Sequence, residues 1–184
     1  MLIEFTRSAG GSTVATIHRS DGVVLELRGY DRKFRIPHEL AHAVTERALG
    51  MADGVFGSIA GGAMFKGMTV VGGRPRHDAA ARSRRILDAN SRALTAAEVM
   101  AGVVHDAAEH GSADPSAKGR IDWGIVHPGP FPWSDDQVEA AVAALGDLSD
   151  RWSRDGRVEM DWPDRLTSRV PERAGVKRGR SGRR

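Results

Sequence analysis

In the stretch IPHELAHAVTERALG, which runs from Ile36 to Gly50, His38, Glu39 and His42 stand at the spacing H-E-x-x-H. On a helix, residues four apart differ by about 40° in direction and lie one turn apart, so both imidazoles can reach one ion. Glu39 projects about 100° away from His38, where its carboxylate can hold a water beside that ion without ligating it. The chemistry this arrangement suits is hydrolysis assisted by zinc or another divalent metal, with Glu39 as the general base. Glu46 continues the same row, but about 12 Å along the axis from His38 it is too distant to share the ion. Its expected role is a hydrogen bond that orients His42, or a surface ion pair with a cation such as Arg47.

A third ligand must come from elsewhere in the chain. There is no cysteine, so only His, Asp or Glu can supply it, and disulfides and thiolate chemistry are excluded. The stretch TAAEVMAGVVHDAAEH places Glu98, His105 and Glu109 within about 40° of one helical face. Thr95 and Glu98 have the spacing of a capping box, which accounts for Glu98 as part of a helix start. Glu109 is therefore the expected third ligand and His105 its close competitor. Both also fit an ordinary helix-surface pair one turn apart.

The H-E-x-x-H residues resemble the zincin metallopeptidase signature. The resemblance implies His38 and His42 as zinc ligands and Glu39 as the residue that activates water. In that family the signature lies inside a helix already under way, whereas Pro37 here sets His38 in a first turn. The longer run PHELAHAVTE with GVFGSIAGGAMF also resembles a group of small bacterial proteins that often carry Asp at the position of Glu39. That second resemblance implies no particular activity.

The elements that must hold these residues are legible in outline. STVATIHRSDGVVLELRGY contains two alternating runs around Ser20, Asp21 and Gly22, a hairpin pattern to which Leu2–Phe5 adds a third strand. Pro37 and Gly50 bound a helix from about 37 to 49. The Gly- and Ala-rich segment after Met51 reads as a packed helical piece or a tight apolar loop. A helix follows through Leu87, and another runs from Thr95 to Gly111. Residues 111–133 form a long Pro/Gly-rich connection in which His127, Trp123 and Trp133 suit an aromatic loop packed over the helices, or a substrate lid. Ser134 and Gln137 form a capping box opening a helix to about Arg154, and RVEMDW alternates as a short strand. The expected fold is α+β: a small N-terminal antiparallel sheet packed with about four helices.

A chain of 184 residues suits one domain, here expected over residues 1–164. The net charge of +3 is uneven: residues 165–184 hold eight basic residues against Glu172, so the rest of the chain carries −4. That end is expected to be a disordered basic tail, a solvated segment or a weak contact for nucleic acid or acidic surfaces. No segment has the length of apolar sequence that spans a bilayer, and the start lacks a leader pattern, which makes a cytoplasmic protein the expectation. Lys66 in GGAMFKGMT lacks the order of a phosphate-binding loop. Two readings stand: a zinc-dependent hydrolase acting on a peptide or small molecule, and a non-catalytic module that binds a partner.

Overall fold

The computed structural model describes residues 1–29 and 34–171. The alternating N-terminal runs become β1 (Leu2–Arg7), β2 (Thr13–His18) and β3 (Val24–Arg28). The strands β1, β2 and β3 pair antiparallel in succession. The β2–β3 turn closes at Gly22, whose φ of +82° suits a residue without a side chain, while Asp21 accepts the Val23 backbone N–H. Ile3, Phe5, Ala15, Ile17 and Leu25 are buried on one face of the sheet. Glu4, His18, Arg157 and Glu159 form polar contacts on the other, the pattern of a sheet covered on one side.

The helices are α1 (His38–Leu49), α2 (Val55–Gly61), α3 (Ala79–Ala89), α4 (Ser91–His110), α5 (Pro115–Val126) and α6 (Asp135–Asp155). The strands β4 (Thr69–Gly72) and β5 (Arg157–Asp161) complete a five-stranded sheet of order β4-β3-β2-β1-β5. The fold is α+β, as expected, with six helices among the described residues rather than about four and with an edge strand, β4, that the sequence did not announce.

Two segments depart from expectation for local reasons. The connection 111–133 contains α5, which starts where the Asp114 carboxylate accepts the Ala117 N–H and Pro115 occupies the first turn. The Thr95–Glu98 capping box does not form, because α4 begins a turn earlier at Ser91; Thr95 instead donates its hydroxyl to the Ser91 carbonyl inside the helix. The Ser134–Gln137 box does form, at the start of α6.

α1 lies at the centre of the molecule, against α2, α4 and α6. Leu40, Ala41, Ala43 and Val44 are buried, and Gly50 ends the helix in the left-handed region at φ +71°. Pro37 is its N-cap, one position outside the expected start. α2 is pressed into the core by Phe56, which meets Phe5 of the sheet at 6.3 Å and Trp162 at 5.9 Å between ring centroids.

The segment after β5 also belongs to the body of the protein. The expected tail boundary at Arg165 falls inside a 3-10 turn (Asp164–Leu166), and Leu166 and Ser168 are buried. The Ser168 hydroxyl donates to Asp53 and accepts from the Asn90 amide, so apolar burial and two hydrogen bonds hold residues that charge alone would assign to a tail. The rest of the expected tail, 172–184, lies outside the described residues. Among the described residues, no helix is long and apolar enough to cross a membrane.

Candidate metal centre

α1 and α4 pack antiparallel. His42 meets Glu98, Ile36 meets His105, and Arg35 and Ile36 meet Glu109, so residue numbers rise on one helix as they fall on the other. This register decides which member of the α4 row faces the histidine pair. Glu98 and Glu109 are about 16 Å apart along the helix axis, and only one of them can reach a single ion.

The residue that faces the histidine pair is Glu98. One ligand atom from each of His38, His42 and Glu98 lies within 4.8 Å of the other two. Glu98 Oε2 is 3.1 Å from His42 Nε2 and 3.6 Å from His38 Nε2, and the two imidazole centroids are 4.7 Å apart. Ligands about 2.0–2.1 Å from a tetrahedral zinc stand roughly 3.4 Å from one another, a spacing the two His–Glu distances straddle. Two imidazoles and one carboxylate on this spacing fit a catalytic zinc that keeps a fourth position open.

The expected ligands Glu109 and His105 serve another purpose. Glu109 accepts the Arg35 N–H at 2.8 Å and the Ile36 N–H at 3.0 Å, one with each carboxylate oxygen. His105 Nε2 donates to the Ile36 carbonyl at 3.0 Å, and burial pushes this imidazole below its ordinary value, a shift the Ile36 bond opposes. Both side chains fix the backbone immediately before His38. They set where α1 begins, and through it the position of the first histidine.

Glu46 lies behind His42, where the orienting role expected of it would place it. It is fully buried, and Oε1 accepts from His42 Nδ1 at 3.2 Å and from the Val55 N–H at 3.0 Å, while Oε2 accepts the Phe56 N–H at 2.9 Å. One carboxylate therefore fixes the His42 ring, directs Nε2 towards Glu98, and satisfies two donors at the start of α2. Gly54 makes this possible: a Cβ there would lie 2.5 Å from the Glu46 carboxylate. Burial alone would lower the His42 pKa, but the hydrogen bonds to Glu46 and Glu98 outweigh it and raise the imidazole to about 9. The His38 imidazole 3.6 Å away and the hydrogen bond from His42 hold the Glu98 carboxyl well below the usual carboxylate range.

Glu39 lines the same cleft as His38, His42 and Glu98, together with Leu27, Val55, Phe56 and Phe65. It rests against Gly29, where an added Cβ would stand 2.9 Å from its Oε2. Among the described residues its carboxylate makes no hydrogen bond. His127 is outside the cleft. It stacks on Trp123 at 4.2 Å and accepts the Gly129 N–H, and Trp133 ties the same loop to the Leu49 carbonyl, the packed aromatic arrangement rather than a lid over the site.

Glu98 is the functional candidate that sequence spacing set aside. Its signal was present, since it lies seven residues before His105 on the same face, but the false capping box explained it away. Comparison with protein-family models, with curated proteins and with solved structures gives no match to this chain.

Proposed function

We infer that the protein is a zinc-dependent hydrolase whose metal is held by His38, His42 and Glu98. The observation that carries this reading is the convergence of three ligand atoms from two helices at zinc-ligand spacing, with His42 oriented from behind by a buried carboxylate. Zinc held by these three residues would lower the pKa of a bound water to about 7 and would polarise a carbonyl. Glu39 takes the proton from the attacking water and returns it to the leaving group. Its position in the cleft beside His38, His42 and Glu98 suits both transfers.

A second reading is favoured by one observation. Both nitrogens of His42 already meet carboxylates, so a protonated His42 bridging Glu46 and Glu98 would be a self-sufficient structural network in a non-catalytic protein. Metal analysis separates the two. Protein purified without chelators and supplied with zinc is expected to hold one equivalent, which His42→Ala and Glu98→Ala abolish and Glu109→Gln retains. Loss of zinc in Glu109→Gln with retention in Glu98→Ala would move the third ligand back to Glu109, and no stoichiometric zinc in the wild type would leave only the structural network. Glu39→Gln is expected to keep its zinc and to cleave an unfolded polypeptide at least about 100-fold more slowly, read by mass spectrometry. Undiminished cleavage in that variant would remove Glu39 as the base.

A further inference from the structure

The candidate metal centre opens on two sides. On one, the cleft that holds Glu39 has a volume of about 170 Å³ and apolar walls from Leu27, Val55 and Phe65. A cavity of about 150 Å³ accepts a benzene-sized group, so this cleft has room for one apolar side chain. On the other, Glu98 forms the lip of a depression of about 540 Å³ between α4 and α5, walled by Val99, Gly102, Val103, Ile125 and Val126.

This second depression is open and apolar. Ile125 on its wall is 78% exposed, more than any other large hydrophobic among the described residues, and Ile121, one turn before it on α5 but outside the lining, is 67% exposed. No atom of the described residues lies within 4 Å of where a Gly102 side chain would stand, so among them the groove floor is bare. Contiguous exposed apolar surface of this kind marks a binding surface. Its charged groups give it a sign. Lys118 is paired with Asp122 at 2.6 Å, which leaves Asp106, hydrogen-bonded to His110, as the excess charge once Glu98 is counted with the metal centre.

We propose that the α4–α5 groove binds the substrate chain on one side of the reacting bond, and that the substrate is therefore a polypeptide segment with apolar and basic side chains. This rests on the zinc hydrolase reading. Glu98 borders both depressions, so a chain lying across the metal centre enters both at once, with one apolar side chain in the smaller cleft and its continuation over Gly102 and Ile125. A small molecule would fill the 170 Å³ cleft alone and leave the larger groove unused. Asp106 on the rim favours a Lys or Arg in the bound segment and disfavours an acidic one.

The test uses the zinc-loaded full chain and three probes. Acetohydroxamate reports the metal centre alone, and the sequence Leu-Lys-Leu carries a hydroxamate at its acyl end in one peptide and at its amino end in another. One of the two peptides is expected to bind at least about tenfold more tightly than acetohydroxamate, and its Lys→Glu version more weakly. In Gly102→Trp, which fills the groove at an open helical position, and in Ile125→Asp, the ratio of peptide to acetohydroxamate affinity should fall towards one. If neither peptide gains over acetohydroxamate, or the gain survives both variants, the groove is not a substrate surface although the metal centre stands. If the wild type takes up no zinc and binds no acetohydroxamate, the hydrolase reading fails and this inference with it.

Discussion

Replacing Glu46 by alanine is expected to destabilise the protein by about 3–5 kcal/mol, the range for removing one partner from a buried charged pair, and to weaken zinc binding about 10- to 100-fold. Three donors depend on this one fully buried carboxylate: His42 Nδ1–H and the backbone N–H groups of Val55 and Phe56. Alanine leaves all three unpaired in a place water reaches poorly, and an orphaned buried donor loses its full solvation. The effect spreads beyond the hydrogen bonds. Phe56 packs between Phe5 and Trp162, so a loosened start of α2 disturbs the contact between helix, sheet and C-terminal segment.

Glu46→Gln separates the two roles of the residue. The amide keeps one acceptor oxygen for α2 but sets an NH₂ group against either His42 or a backbone N–H, so stability should fall less than in alanine while zinc affinity falls nearly as far. Urea unfolding of the metal-free variants and zinc competition with a chelator give the two numbers. A folded Glu46→Ala protein with unchanged zinc affinity would show that His42 does not depend on Glu46 for its orientation.

What the sequence disclosed and what it withheld follow from the range of the interactions involved. The bounds of α1 were legible because they are set locally, by Pro37 before it and by the left-handed Gly50 after it. The Ser134 box and the alternating RVEMDW strand are local in the same way. α5 was not legible, since Gly119 and Gly124 lower its helix propensity. Its stability comes from tertiary contacts instead: Trp123 is buried, and the Phe131 ring lies close over Gly119, where a Cβ would meet it at 3.3 Å. The third ligand was withheld for a related reason. Glu98, His105 and Glu109 share one face of α4, and only the antiparallel register against α1 decides which of them stands opposite His42. Thr95 misled because T-x-x-E within a helix has the same spacing as T-x-x-E at its start. Composition misled about residues 165–171 too, because a run of arginines does not reveal that Leu166 and Ser168 between them are buried.

Between about pH 6.5 and 9 the metal-free form should lose stability that the zinc-bound form does not lose. In the metal-free protein the His42 pKa is raised from 6.5 to about 9 because its hydrogen bonds to Glu46 and Glu98 outweigh its burial. Folding therefore favours the protonated imidazole. That contribution is complete below pH 6.5 and is lost as the pH rises through about 9, a loss of up to about 3 kcal/mol at 1.36 kcal/mol per pKa unit. Glu98 acts at the other end of the scale: its depressed pKa adds stability above the ordinary carboxylate value of 4.5, which is lost as acid protonates it. The metal-free protein should therefore be most stable between about pH 4.5 and 6.5, and thermal unfolding should show its midpoint falling from pH 6.5 to 9.5. Zinc needs the neutral imidazole, so protons compete with it at low pH and its stabilisation grows as His42 is deprotonated. At a fixed excess of zinc the midpoint should hold or rise over the same interval. His42→Gln should flatten both profiles. A metal-free midpoint that does not fall between pH 6.5 and 9.5 would mean that His42 is neutral in the folded protein, and its hydrogen bonds to the two carboxylates would have to be assigned differently.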